Sequence, residues 1–179
     1  MKNFKVKNIQ FIILLIAFSN VLFLHAQNNK AGNSVILSDA KTLFSANENN
    51  YVSARSILPK EDAVSVVVFW QSTCAPCIRE FKAINKQLSE WQKIYNFKIY
   101  AVSTDRAQNY PKAIAIWEEN RWNIPLYIDK NNVLKKALLG DWHGVPQLFI
   151  IKEQKIIYHK LGYQQGDENI ITTFLPKKR

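Results

Sequence analysis

The sequence predicts an α/β domain in which a central mixed β-sheet is flanked by helices on both faces. The run from Val64 to Trp70 is almost wholly β-branched or aromatic, as is typical of a strand covered on both faces. A stretch of helical periodicity follows it, and a second strand-like run extends from Phe97 to Val102. A strand, a long helix and another strand form a βαβ unit with parallel strands, and this unit predicts the fold class.

The predicted helix between these two strands has one apolar face. Thr73 has a side chain suited to cap the helix, and Pro76 falls in the first turn, where its missing N–H costs nothing. The helix is therefore predicted to begin at about Cys74. The residues of its apolar face recur at spacings of three and four, and they are Cys77, Phe81, Ile84, Leu88, Trp91 and Tyr95.

The rest of the chain completes the predicted order β-α-β-α-β-α-β-β-α. Apolar patches at 35–37 and 57–58 are expected to be edge strands or covering loops, and Asp167 is suited to cap the last helix. The later elements are predicted as a helix at 111–122, a strand at 124–128, a helix at 133–139, a hairpin of strands at 147–151 and 155–160, and a helix at 167–175.

The first 26 residues have the three-part layout of a secretory signal peptide. Lys2, Lys5 and Lys7 form a basic start, and the apolar run from Ile9 to Leu24 is shorter than the ~20 residues that a membrane-spanning helix needs. Cleavage is predicted after Ala26, which makes the protein exported and periplasmic. The alternative is an uncleaved segment that anchors the protein to the membrane.

The sequence divides into a signal peptide at 1–26, an N-terminal extension of the domain at 27–60 and the main domain at 61–176. Without the three signal lysines, 21 basic and 14 acidic residues remain, or about +7 from the formal +10 of the whole chain. An exported protein leaves the nucleic acid of the cell behind, so no nucleic-acid partner is expected. The basic surface is interpreted as a solvated one that attracts acidic proteins or anionic lipid weakly, without stable membrane insertion after cleavage.

Both cysteines of the chain lie where the first strand meets the helix, in the motif Cys74-Ala-Pro-Cys77. The amide groups and dipole of a helix N-terminus lower the pKa of a thiol there and favour the nucleophilic thiolate. Cys77 belongs to the inward face of the helix and should be shielded, whereas Cys74 should be exposed. Cys74 is therefore predicted to attack a substrate disulfide and Cys77 to resolve the mixed disulfide, so no cofactor is needed.

These residues resemble the thioredoxin superfamily and, within it, the exported TlpA/ResA-like thiol–disulfide oxidoreductases. The resemblance covers about 64–162 and rests on three motifs: F-W-x-x-x-C-x-P-C at 69–77, Y-A-V-S-T-D at 100–105 and G-V-P at 144–146. It implies a thioredoxin-like fold, a cis bond before Pro146 beside the cysteines and a proton-handling role for Glu80. The residues expected to contact the substrate are Trp70, Thr73, Pro76, Val145 and Pro146.

By this resemblance, the protein would reduce disulfides of exported proteins such as apocytochrome c, with electrons from a membrane partner. Oxidation and isomerisation are the alternative directions. The chain departs from the pattern at Val68, where thioredoxins carry a buried Asp, and at Gln147, where Thr is usual after the proline. Without an acid at Val68, Glu80 is the best candidate for the proton acceptor, the alternative being an ordinary glutamate on the helix surface.

Other uses of the cysteine pair are weaker hypotheses. A disulfide that closes so small a loop adds little stability, and a zinc site would need a second pair of ligands. Cys74, Cys77 and His143 could bind Cu(I), as in a Sco-like copper metallochaperone, although that branch has C-x-x-x-C. A peroxiredoxin is a weaker hypothesis: Thr73 precedes Cys74, but the P-x-x-x-T-x-x-C pattern is absent. A binding domain that keeps the fold without turnover is the last alternative.

Overall fold

The computed structural model describes residues 35, 37, 39–58, 63–140 and 143–178, so the predicted signal peptide lies outside the described residues. The helices of the described part are α1 (Ala75–Ile94), α2 (Tyr110–Asn120) and α3 (Val133–Leu139), with 3₁₀ helices at Ala54–Ile57, Ala107–Asn109 and Asp167–Phe174. Its strands are β1 (Lys41–Ser45), β2 (Asn50–Ser53), β3 (Val64–Trp70), β4 (Phe97–Ser103), β5 (Leu126–Ile128), β6 (Gln147–Lys152) and β7 (Lys155–Leu161). No helix among the described residues is both long and apolar enough to cross a bilayer.

The seven strands form one mixed sheet in the order β2-β1-β5-β4-β3-β6-β7. Strand β3 pairs in parallel with β4 and antiparallel with β6, and β4 pairs in parallel with β5. The predicted βαβ unit is therefore β3-α1-β4. Because β3 and β4 are parallel neighbours, the residues that follow both strands meet at one edge of the sheet.

Strand β3 is buried along its whole length because layers cover both faces of the sheet. Its side chains alternate between two hydrophobic cores, as the pleat requires. Val66 and Val68 pack into the core that contains α1 and α2, whereas Val67 and Phe69 pack with α3 and the 3₁₀ helix at Ala54–Ile57. The predicted fold class, a mixed sheet with helices on both faces, is confirmed.

A group of aromatic rings packs around Phe81, on the apolar face of α1. Phe81 meets Trp70 from β3 and Trp117 from α2, and Trp122 completes the group, with ring centroids 4.6 to 6.4 Å apart. The indole N–H of Trp117 donates to the carbonyl of Ile124 at 2.9 Å. These rings bury large areas and prefer tilted and edge-on contacts, so they fix α1 against the sheet.

Two parts of the fold differ from the prediction. The segment before β3 contains the hairpin β1–β2, and β1 extends the sheet by pairing antiparallel with β5. The predicted C-terminal α-helix is a 3₁₀ helix at Asp167–Phe174. Asp167 does not cap it by a side-chain bond to the helix; its carboxylate accepts from the backbone N–H of Gln164 at 2.6 Å and pairs with Lys160 at 2.8 Å.

Candidate active site

The two cysteines form a disulfide at the junction between β3 and α1, with their Cα atoms 5.3 Å apart. Cys77 has no exposed surface, because it lies on the inward face of α1. Cys74 is partly exposed, because it lies at the end of the loop before the helix. The arrangement leaves one sulfur open to a partner and keeps the other behind it.

Cys74, rather than Thr73, is the N-cap residue of α1. Its backbone is extended, and its Sγ accepts a hydrogen bond from the backbone N–H of Cys77 at 3.2 Å. Pro76 lies within the first turn, as expected. This amide of the first turn, together with the helix dipole, would stabilise the negative charge of a Cys74 thiolate.

The loop at 144–146 lies against the disulfide. The Val145–Pro146 peptide bond is cis, as the resemblance implies. The carbonyl oxygen of Val145 is 3.6 Å from the Sγ of Cys74, and the carbonyl oxygen of Pro146 accepts from the N–H of Gly162 at 2.8 Å. A disulfide sulfur carries no proton, so the first distance is a contact; the reduced thiol would have a carbonyl acceptor there.

Gln147 holds this loop from beneath. Its side chain is fully buried, and its amide nitrogen donates to the carbonyl oxygen of Gly144 at 2.9 Å. Its amide oxygen lies 2.8 Å from Nε2 of His159, whose ring stacks on Phe149 at 4.3 Å between centroids. The sequence showed only that Gln147 departs from the usual threonine, and its supporting role comes from a partner twelve residues away.

Asp105 is a second supporting residue that the sequence did not identify. Its buried carboxylate accepts three hydrogen bonds of 2.8 Å: from the backbone N–H and the hydroxyl of Ser72 and from the hydroxyl of Ser103. Ser72 belongs to the turn that leads into Cys74, whereas Ser103 ends β4. The only earlier signal was the position of Asp105 three residues after a predicted strand, within the Y-A-V-S-T-D motif.

Glu80 lies on the buried face of α1, one turn beyond Cys77, with 3% of its surface exposed. The alternative of a surface glutamate is therefore wrong. Burial, more than the neighbouring charges of Asp167 and Glu168, raises the pKa of Glu80 from 4.5 to about 8, and Lys160 opposes the shift. One carboxyl oxygen of Glu80 has no hydrogen-bond partner among the described residues, so the neutral acid is the stable form near pH 7.

Comparisons with known proteins agree with this geometry. The model of the AhpC/TSA family matches residues 27–160. The chain belongs to the AhpC/TSA family. A thioredoxin-like protein from Porphyromonas gingivalis has a similar structure, with a TM-score of 0.62 and 27% sequence identity over 79% of this chain and 90% of that one. The comparison with curated proteins finds no match.

Two further solved structures share the fold of this AhpC/TSA-family chain at lower identity. The thioredoxin domain of a thiol-disulfide oxidoreductase from Bacteroides vulgatus has a TM-score of 0.60 and 23% identity, over 82% of this chain and 98% of that one. A thiol:disulfide interchange protein from a Bacteroides species has a TM-score of 0.57 and 22% identity, over 82% and 88%. The thioredoxin-like fold and the Cys-x-x-Cys pair support oxidoreductase activity at these cysteines.

The residues expected to contact a substrate separate into two groups. Thr73 is exposed, and Pro76 and Val145 are half-buried around Cys74. The prediction that Trp70 contacts the substrate is wrong. Its side chain is fully buried among the aromatic rings around Phe81, so it supports the site from within the core. The ring of Pro146 is buried as well, which leaves the backbone of its loop as the surface beside Cys74.

The alternative copper site gains no support from the arrangement of its three residues. His143 is exposed at the start of the loop, and both sulfur atoms are joined to each other. Within the described residues, no group of three histidine, cysteine, aspartate or glutamate side chains is placed to hold a metal ion.

Replacing Glu80 by Gln tests the buried acid through the pH dependence of stability. Between its unfolded pKa of 4.5 and its folded pKa of about 8, the unfolded chain releases the proton and the native protein keeps it. The stability of the wild type therefore falls as pH rises through this window, and the variant lacks this loss. Thermal unfolding measures the free energy of unfolding of the variant minus that of the wild type. This difference should rise by more than about 1 kcal/mol between roughly pH 5 and pH 8.5.

The matched control for this test is Glu90→Gln, because Glu90 lies on the same helix but is exposed and paired with Lys93. Its stability relative to the wild type should stay constant over the same window. If the stability difference between Glu80→Gln and the wild type were equally constant across this window, Glu80 would not be a buried acid with a raised pKa.

Replacing Asp105 by Ala tests the hydrogen bonds that hold the active-site turn. The change leaves the buried N–H and hydroxyl of Ser72 without their acceptor, which should lower the free energy of unfolding by about 2–4 kcal/mol. Urea denaturation of the oxidised protein measures this. Asp39→Ala is the control, since Asp39 is exposed and lies 3.5 Å from Arg55. The free energy of unfolding lost in this control should stay below about 0.5 kcal/mol. Equal losses in both variants would refute the assignment.

Proposed function

We propose that this protein is an exported thiol–disulfide oxidoreductase that reduces the disulfides of other exported proteins. One observation carries the proposal: the disulfide lies at the start of α1 with Cys74 partly exposed beside the loop at 144–146 and Cys77 shielded behind it. The fold and the family membership agree with this activity. An inert structural disulfide would have no need of an exposed sulfur at a helix N-terminus.

The reaction begins with both cysteines reduced. The Cys74 thiolate attacks one sulfur of the substrate disulfide, the substrate S–S bond breaks, and the departing sulfur leaves as a thiolate that takes up a proton. The product is a mixed disulfide between Cys74 and the substrate. The amide groups at the start of α1 favour the attacking thiolate, and the surface formed by Thr73, Pro76 and Val145 borders the site of attack.

The second step releases the substrate. The Cys77 thiolate attacks the Sγ of Cys74, the mixed disulfide breaks, and the second substrate sulfur leaves and is protonated. The substrate has then gained two electrons and two protons, and the protein carries the disulfide seen in the structure. The protein must be reduced again by a two-electron dithiol donor, for which we propose a membrane partner.

We propose that Glu80 assists the second step. Cys77 is fully buried, so its thiol needs a nearby group to take its proton before it can attack. Glu80 lies three residues further along α1 on the same buried face. Its pKa of about 8, raised chiefly by burial, lies close to neutral pH, where a general base combines adequate basicity with a useful ionised fraction.

The substrates we propose are disulfides of selected exported proteins, for example apocytochrome c, in the periplasm. The basic, apolar start of the sequence supports export, and disulfides that need reduction persist in that compartment. A membrane-anchored form would place the same domain on the same side of the membrane.

Trapping the mixed disulfide tests the two cysteine roles. Cys77→Ala should accumulate a covalent adduct between Cys74 and a disulfide-containing substrate protein, because the resolving thiol is missing. Mass spectrometry under non-reducing conditions detects the adduct. Cys74→Ala is the matched control and should form no adduct and lose disulfide exchange. If Cys74→Ala retained exchange, the assignment of the nucleophile would be wrong.

The reduction potential of the Cys74–Cys77 couple tests the direction of the reaction. We expect a value of about −270 mV or lower, as for a reductant that depends on an electron donor. Equilibration in dithiothreitol or glutathione buffers, followed by thiol trapping, gives the value. A potential near −120 mV would instead identify an oxidant, and the absence of a reversible couple would remove the redox function altogether.

A further inference from the structure

A groove of about 620 Å³ runs along the outer side of α1. Arg79, Lys82 and Lys86 form one wall, and their spacing of three and four places them on one face of the helix. Tyr163 and Gln165, from the segment after β7, line the opposite wall. The volume lies within the range of sites that bind small molecules or short peptide segments.

The wall on α1 carries unbalanced positive charge. The three side chains are exposed, and no ion pair joins any of them to a carboxylate in the part of the chain that the structure describes. One acid, Glu168, also lines the groove, but it is buried and accepts hydrogen bonds from the hydroxyl of Tyr163 at 2.8 Å and the N–H of Gly166 at 2.9 Å. Three free cations thus face one carboxylate that is already satisfied.

Both walls of the groove lie close in sequence to residues of the redox site. Arg79 follows Cys77 by two residues on α1, and the opposite wall begins just after Gly162, which hydrogen-bonds to the carbonyl of Pro146. The groove extends from Arg79 to Lys86, or about 10 Å at 1.5 Å per residue, which is the length of about three extended residues. Its far end is crossed by the hydrogen bond from Gln87 to Asn169 at 3.2 Å.

We propose that this groove binds an acidic segment of the redox partner protein, beside the cysteine that reacts with Cys74. The inference rests on the proposed function for the identity of the partner, and on the charge and position of the groove for its chemistry. Carboxylates of an extended segment would meet the cations of Arg79, Lys82 and Lys86, and the opposite wall would offer the amide of Gln165. Such contacts select partners and speed their encounter more than they add to affinity.

The test uses two labelled, cysteine-free peptides that differ only in a Glu-Glu-Glu or Gln-Gln-Gln stretch. Fluorescence anisotropy with the oxidised protein measures binding without any redox step. The acidic peptide should bind roughly three- to ten-fold more tightly than the neutral one. Lys82→Gln/Lys86→Gln should remove this preference, and raising the salt from about 20 mM to about 300 mM should shrink it.

The matched control is Lys112→Gln/Lys136→Gln, which removes the same charge from exposed positions on α2 and α3. It should keep the preference for the acidic peptide. Equal binding of both peptides by the wild type, or an equal loss of preference in the control variant, overturns the proposal. Binding to anionic phospholipid vesicles through Lys82 and Lys86, without a peptide preference, overturns it in favour of a lipid surface.

A separate kinetic measurement distinguishes this proposal from the proposed function. The neutral reagent bis(2-hydroxyethyl) disulfide reports exchange at the cysteines without using the groove. After both proteins are reduced with dithiothreitol and the excess is removed, the Lys82→Gln/Lys86→Gln variant should reduce this reagent as fast as the wild type. If the wild type fails to reduce this reagent, the oxidoreductase function fails. If it reduces the reagent but shows no preference between the peptides, only the groove proposal fails.

Discussion

The hydrogen bonds to the buried carboxylate of Asp105 are the interaction on which the geometry of the site depends. The parallel register of β3 and β4 places Trp70 opposite Ser103, so the residues after both strands meet. Asp105 then binds the N–H and hydroxyl of Ser72, while the N–H of Thr104 donates to the carbonyl of Trp70 at 3.0 Å. These hydrogen bonds fix the turn at Ser72, which precedes α1 in the chain, and this turn determines the position of Cys74. A neutral acceptor would satisfy fewer donors, and each unsatisfied buried group costs about 1–3 kcal/mol.

The elements that sequence patterns predicted well are those whose pattern is set by burial. Strand β3 and helix α3 have the predicted bounds, because the first is covered on both faces and the second lies between clear turn residues. Strands β1 and β2 were not predicted, since short, partly exposed strands leave little periodicity. Helix α2 ends at Asn120, before the predicted end at 122, because Arg121 adopts a left-handed conformation that closes it.

For the candidate site, too, the sequence predicted the features set by local motifs and missed those set by residues distant in sequence. Cys74, Cys77 and the cis bond before Pro146 lie within short motifs, so the sequence was sufficient to predict where they would lie. The surroundings of Glu80 depend on Lys160 and Asp167, about eighty residues away, and no local pattern encodes that contact. The same reason explains Gln147, whose partner His159 lies on β7, and Asp105, whose partner Ser72 lies in the turn after β3. It also explains the error at Trp70, whose burial depends on rings from α2 and beyond.

The inner and outer faces of helix α1 provide two different electrostatic environments. Its inner face holds Cys77 and Glu80 away from solvent, where an ion is costly. Its outer face carries Arg79 and Lys82, which remain hydrated and act over about 10 Å at moderate salt. Because a helix turns about 100° per residue, residues only one or two positions apart can serve these opposite needs. In the proposed mechanism, one helix thus keeps the recognition of a charged partner apart from proton transfer at the buried thiol, and the disulfide lies at the N-terminus of that helix.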